Sequence, residues 1–259
     1  MIVTVVDTGL LLGPCPFRTI PSAVADVLAL REAVGFDRAV AMGFRSLLYF
    51  DPIAGLEQDL AEYESLAEWL HFYAVLNPEF PQWAELLQRA SADRRLVAVR
   101  LVPALHHYAL DAPIVGEIVG LAGELQLPVN LMARVFDDRV APRFVDQQVP
   151  SMQQVANFLT RCGETRVILS MFYFSQLQAL PVDWASLPNV YVDFGCCKPN
   201  VASLDQLREW FPLQRALFGT GAPFYYWQGS RLGLAGARMH DEARSGILGR
   251  NALEVFAWD

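Results

Sequence analysis

Eight short runs of β-branched and apolar residues, set apart by longer stretches with helical periodicity, constrain this chain more than any other feature. The runs cover residues 2–7, 38–42, 72–76, 97–101, 129–132, 167–171, 190–194 and 215–218. Their interiors are apolar at consecutive positions, as expected of strands covered by protein on both faces. Amphipathic segments lie between or after them at 22–34, 56–69, 82–90, 114–125, 152–161, 204–210, 241–248 and 251–256. In the first of these, Val24, Val27, Leu28, Leu30 and Ala33 recur at helical spacing behind Pro21. Regular alternation of strand and helix is the pattern of βα units around a parallel sheet. Eight units predict an α/β fold, the (β/α)8 TIM barrel, and the 259 residues match the length of about 250 that one such barrel takes. No composition break or shorter repeat intervenes, so a single domain over residues 1–259 is expected.

Charge and composition narrow the partners. With 20 Lys+Arg against 28 Asp+Glu the formal net charge is -8. That leaves no basic footprint for a nucleic-acid backbone, and no nucleic acid is expected as a partner. The mean hydropathy is +0.25, yet the apolar stretch over 167–182 is broken by Ser170, Ser175, Gln176, Gln178 and Pro181. It falls short of the roughly 18 continuous apolar residues that a membrane span requires, so no membrane is expected. The opening MIVTVVDTG lacks a basic segment followed by an apolar one and a cleavage site. The expected location is cytoplasmic. Cys15, Cys162, Cys196 and Cys197 are too few and too irregular for a disulfide scaffold, and the adjacent pair has no ligand-spaced His or Cys beside it.

A TIM barrel places its site at the C-terminal ends of its strands. The residues to inspect therefore fall in 7–11, 43–45, 77–78, 100–107, 130–139, 170–173, 193–198 and 220–226. Among these, VDTGLLLG at 6–13, VLNP at 75–78, AVRLVPALHHYALDAP at 98–113 and LPVNLMAR at 127–134 follow one another in a familiar order. RVILSMF at 166–172, LFGTGAPF at 217–224 and ILGRNALEVF at 247–256 continue it. Together they resemble the amidohydrolase superfamily, in its amidohydrolase-2 branch, over nearly the whole chain. The resemblance implies one or two divalent metals held by two His of the first strand, a His after each of the fifth and sixth, and an Asp after the eighth. Those positions carry Gly9, Leu11, Met132, Met171 and Gly221. A hydrogen, an isobutyl group and a thioether do not replace imidazole or carboxylate toward a hard or borderline ion. The expectation is no metal and no cofactor.

Chemistry then rests on side chains alone. Arg100 can hold a substrate carboxylate in bidentate fashion, or pair with an acid from a neighbouring strand. His106 and His107, with ordinary pKa values near 6.5, can move protons or play structural roles. In the run ARVFDDR at 133–139, Arg134 or Arg139 can hold an anion oriented by Asp137 or Asp138, or the run can be a salt-bridged loop. Asp193 and Asp7 can divide acid and base roles, or cap backbone N–H groups. Asn77 can orient a carbonyl or fix the Asn-Pro turn, and Cys196 or Cys197 near Lys198 can supply a thiolate. The aromatics Phe224, Tyr225, Tyr226 and Trp227 can form a lid, a stacking surface for a planar ligand or half of a homodimer contact.

Three functions are compatible with this reading. In the first, a metal-independent, lactonase-like hydrolase acts on a small carboxylated molecule at the barrel mouth. His106 and Asp193 are then catalytic, and Arg100, Arg134, Asn77, His107 and Tyr225 bind substrate. The second is a non-catalytic ligand-binding or regulatory pseudo-hydrolase, and the third a metal-dependent hydrolase with ligands recruited elsewhere.

Overall fold

The computed structural model describes residues 3–195 and 203–258. Eight parallel strands form one sheet in the order β1 to β8: Val6–Leu12, Arg38–Gly43, Leu70–Leu76, Leu96–Leu101, Val129–Met132, Val167–Ser170, Val190–Asp193 and Ala216–Leu217. The last returns to the first through Thr8 N–H donating to Phe218 O at 2.9 Å and Leu11 N–H to Ala222 O at 2.9 Å, which draws the sheet into a (β/α)8 barrel. Helices fill the crossovers: α1 Val24–Val34, α2 Phe44–Leu48, α3 Pro52–Glu62, α4 Trp83–Ala92, α5 Pro103–His106, α6 Pro113–Glu124, α7 Met152–Arg161, α8 Phe174–Gln178, α9 Ser203–Leu207, α10 Trp227–Gly236, α11 Asp241–Ser245 and α12 Asn251–Val255. Their starts follow ordinary capping chemistry. Asp51 accepts from the N–H groups of Ile53 and Ala54 ahead of Pro52, and Ser151 and Gln154 form a reciprocal capping box.

The first strand lies further along than its sequence predicts. The expected strand covers residues 2–7, yet β1 runs through Gly9 to Leu12, with a register shift against β2 between Asp7 and Leu10. A Cβ at Gly9 would stand 2.9 Å from Asp193 Oδ2, so the glycine admits a carboxylate from across the barrel rather than ending the strand. At β8 the strand is only Ala216–Leu217, because Arg215 belongs to a short 3-10 turn and its guanidinium bonds to backbone carbonyls, among them Trp184 O at 2.6 Å. The short helices α2, α5, α8 and α10 are additional to those the periodicity predicts.

Apolar residues separate into three bodies. The largest, including Leu10, Leu12, Ala74, Leu101 and Leu131, lies between the strands and the helices. A second fills the N-terminal end of the barrel with Val6, Val40, Tyr73, Ala98, Ile168 and Leu217, against Ala252, Val255 and Phe256 of the closing segment. A third closes the C-terminal end and is part of the candidate site. No helix among the described residues is long and apolar enough to cross a membrane.

Candidate functional site

Between the two apolar ends, the barrel interior holds a polar layer contributed by strands far apart in sequence. Each member interrupts an apolar run: Asp7 and Thr8 in β1, Arg100 in β4, Asn130 in β5, Ser170 in β6, Asp193 in β7, and Thr220 beyond β8. All are buried. Thr220 donates through Oγ1 to Asp7 Oδ2 at 2.7 Å and through its N–H to Asp7 Oδ1 at 3.1 Å. Asp7 Oδ1 also accepts the Gly9 N–H at 3.0 Å. Arg100 Nε donates to Asn130 Oδ1 at 2.9 Å, and Asn130 Nδ2 to Ser170 Oγ at 2.7 Å. The Arg100 guanidinium carbon lies 3.6 Å from the Tyr73 ring centroid, and the Tyr73 hydroxyl donates to Thr8 O at 2.8 Å. Asp193 Oδ1 accepts the Gly195 N–H at 2.8 Å.

Burial dominates the electrostatics. It pushes the Asp7 carboxyl up to about 7, against the pull of the Thr220 hydroxyl and the Gly9 N–H, with the Asp193 charge adding to the rise. Burial likewise raises Asp193 to about 6, opposed by the Gly195 N–H, the Arg100 charge and the hydroxyls of Thr8 and Ser170. The layer thus holds two carboxyls that exchange protons near neutrality beside one guanidinium.

The strand ends above this layer are apolar. Leu11, Met42, Val75, Val102, Met132, Met171 and Phe224 pack into one buried cluster with Phe44, Leu47, Val135 and Phe136. The rings of Phe224 and Phe136 meet at 5.6 Å, and the Arg18 guanidinium lies 4.0 Å from the Phe224 centroid. Burying side chains of this size contributes about 1.5–3 kcal/mol each relative to leaving them in water. Leu11, Met132 and Met171, three of the positions where the resemblance implies metal ligands, point into this cluster. Gly9 faces Asp193, and Gly221 has φ +69°, a left-handed conformation in which an Asp would be strained. Met171 takes φ 62° without being glycine, and its carbonyl accepts from Arg134 NH1 at 2.8 Å. These five residues supply no donor set that fits a divalent ion. Among the described residues no group of three or more His, Cys, Asp or Glu is placed to hold one.

The residues predicted for a site are thus divided among several places. Arg100 and Asp193 share the polar layer. Arg134 is buried and directed inward, bonding to Met171 O and to Gln176 Oε1 at 2.8 Å each, with its guanidinium 3.7 Å from the Tyr173 ring centroid. Arg139 pairs with Asp137 at 2.7 Å within the loop after β5. Tyr225 lies at the edge of the apolar cluster and donates through its hydroxyl to Val135 O at 2.7 Å. His107 ends α5 in a left-handed conformation, exposed to solvent. Cys196, Cys197 and Lys198 lie outside the described residues.

Asn77 and His106 meet elsewhere. They line a cavity of about 350 Å3 off the barrel axis, bounded by the segments after β2, β3 and β4, together with Tyr49, Phe50, Glu79 and Phe80. His106 Nε2 lies 3.0 Å from Leu47 O, its Nδ1 is buried without a partner, and burial lowers its pKa. Asn130, Ser170 and Thr220 are members of the polar layer to which the sequence assigned no role. The available signal was a polar residue inside or closing an apolar strand run.

Comparisons with known proteins agree with this architecture. The model of the family Amidohydro_2, described as Amidohydrolase, matches residues 54–258. No curated protein sequence matches the chain. Among solved structures, a 2,6-dihydroxybenzoate decarboxylase complexed with 2,6-dihydroxybenzoate superposes with TM-score 0.74 at 15% identity, covering 99% of this chain and 100% of its own. A 5-carboxyvanillate decarboxylase from Novosphingobium aromaticivorans, with bound manganese, gives 0.70 at 11%, covering 98% and 97%. A probable 2-pyrone-4,6-dicarboxylic acid hydrolase from Acinetobacter baumannii, with citric acid bound, gives 0.64 at 14%, covering 98% and 100%. At such identities the structural likeness speaks for the fold, while the family match extends over most of the sequence. The chain belongs to the amidohydrolase family, in its amidohydrolase-2 branch.

Proposed function

We propose that this chain, as one domain over residues 1–259, is an amidohydrolase-family barrel that works without the family's divalent metal, binding a small molecule on its C-terminal face rather than hydrolysing one by metal assistance. One observation carries the reading: Leu11, Met132 and Met171, which the resemblance sets where ligands are expected, are joined with Phe224 in a packed apolar layer. A catalytic metal would lower the pKa of bound water from 15.7 to about 7, and side chains of this chemistry offer nothing to hold it. Metal analysis of the purified chain, with thermal unfolding in zinc or manganese, tests this. We expect substoichiometric metal and no ion-dependent rise in Tm; a stoichiometric ion that stabilises the fold overturns the proposal.

A second reading has its own support. Asp193, raised to about 6, feels the Arg100 charge, and Asp7, raised to about 7, feels the Asp193 charge, a combination suited to holding a carboxylate and moving a proton. It would serve a metal-independent, lactonase-like hydrolase once Phe224 moved aside. The names of two of the structural neighbours, a decarboxylase and a dicarboxylic acid hydrolase, make small carboxylated lactones the compounds to screen. Turnover that disappears in Asp193→Asn supports this second reading; a screen without turnover discards it.

A further inference from the structure

The cavity lined by Asn77 and His106 has a chemistry different from that of the barrel interior. Its walls come from three consecutive crossovers: the end of α2 and the segment after it, the turn after β3, and α5. Its volume of about 350 Å3 lies within the range of small-molecule sites, roughly 300–1,000 Å3. Three aromatic side chains, Tyr49, Phe50 and Phe80, line it. Leu48, Tyr49 and Phe50 form a consecutive apolar run in solvent, with Phe50 98% exposed. Such a run at the lip of a concavity is apolar surface that an occupant would remove from water.

The polar groups set the sign of the occupant. Glu79 is exposed and has no ion-pair partner among the described residues, and no Lys or Arg lines the cavity. Burial lowers the pKa of His106 and so disfavours a charge there. A carboxylate entering here would meet one negative charge and no cation, whereas an ammonium group would meet Glu79 and the aromatic faces together. Asn77 accepts the Glu79 N–H through Oδ1 at 3.1 Å, which leaves its Nδ2 amide without a protein partner among the described residues. That amide can donate to an oxygen on the ligand.

We infer that this cavity is a binding site for a small aromatic amine, protonated at neutral pH and carrying a hydroxyl or carbonyl oxygen. The ammonium group sits by Glu79, the ring lies against Phe50 and Tyr49, and the oxygen accepts from Asn77. This deepens the reading of the chain as a binding protein and rests on that reading for its use, but not for the existence of the site. Stoichiometric metal would overturn the metal-free proposal and leave this cavity as it is, and failed amine binding would leave the metal result as it is.

The test is calorimetric titration of the whole chain with three matched compounds: tyramine, 4-hydroxyphenylacetate and 2-(4-hydroxyphenyl)ethanol. Tyramine is expected to bind saturably with one site per chain, and each of the other two at least threefold more weakly. Glu79→Gln and Phe50→Ser, both at exposed side chains and so compatible with folding, should each weaken tyramine at least threefold. Glu79→Gln should also remove the preference for tyramine over the neutral alcohol. Absence of saturable tyramine binding overturns the inference. So does equal or tighter binding of the carboxylate or the alcohol, or unchanged affinity in either variant.

Discussion

The polar layer and the apolar layer above it are carried by the same strands, a short step apart along the barrel axis, yet they stabilise the fold by opposite means. The lower layer buries Asp7, Arg100, Asn130, Ser170 and Asp193 and offsets their desolvation with hydrogen bonds between neighbouring strands. The upper layer buries Leu11, Met42, Met132, Met171 and Phe224, which carry no charge to compensate. The difference shows how one barrel can hold ionisable groups in its interior beneath a purely apolar closure. Buried charges survive where partners surround them, and three of the positions at which the resemblance implies ligands lie in the apolar layer.

That contrast can be broken most severely at Arg100. Arg100→Ala removes the cation that acts on the buried Asp193 carboxyl, and we expect a loss of about 3–5 kcal/mol in urea unfolding. The loss should be larger at pH 8 than at pH 5, because the carboxyls ionise between those values. A loss independent of pH would mean that Arg100 serves only as packing against Tyr73. In the upper layer, Met132→Ala removes a fully buried thioether chain, for an expected loss of about 2–4 kcal/mol that does not vary across the same pH range.

The pH dependence of the unmodified chain sharpens the comparison. Asp7 and Asp193 titrate at about 7 and about 6 in the folded chain against an ordinary 3.8, so folding takes up protons between those values. The stability contributed by the protonated carboxyls is complete below about pH 4 and is lost as the pH rises through 6 and 7. The slope should be at most about 1.4 kcal/mol per pH unit for each group. Asp59, also raised to about 6 by burial beside Arg45, adds to it with the same sign. Asp7→Asn should flatten the profile between pH 5 and 8 without abolishing it, as read from urea midpoints; an unchanged profile would remove Asp7 from the titrating set. The smallest effect belongs to a site outside both layers. Phe50→Ser, at a ring 98% exposed, should change stability by no more than about 0.5 kcal/mol.

The barrel could be read from the sequence because its signal is local. An apolar run with an amphipathic stretch behind it requires only neighbouring residues, and residues 152–161, set apart by helical spacing, fold as α7 behind a Ser151–Gln154 capping box. At β1 the boundary shifted, because the strand runs on through Gly9 to Leu12. The candidate site was less legible. Arg100, Asp193 and Asp7 drew notice as charges within or at the ends of apolar runs, but nothing in the sequence joined them to Asn130, Ser170 and Thr220. Arg134 read as an anion holder or a member of a salt-bridged loop, while in the fold it is buried and bonds Met171 O and Gln176.

Sequence alone determined the eight-unit alternation, the family resemblance and the identity of the residues at the five positions where that resemblance implies ligands, because each is a matter of order and residue type. Only the tertiary structure decided that Leu11, Met132 and Met171 close one apolar layer with Phe224, that Thr220 bonds to Asp7 across 213 positions of sequence, and that Asn77 and His106 share a cavity off the axis. The physical reason is that strand register and closure set the height of each side chain within the barrel and its facing partner. Those depend on hydrogen bonds between segments far apart in the chain, which a periodicity of two or 3.6 residues does not encode.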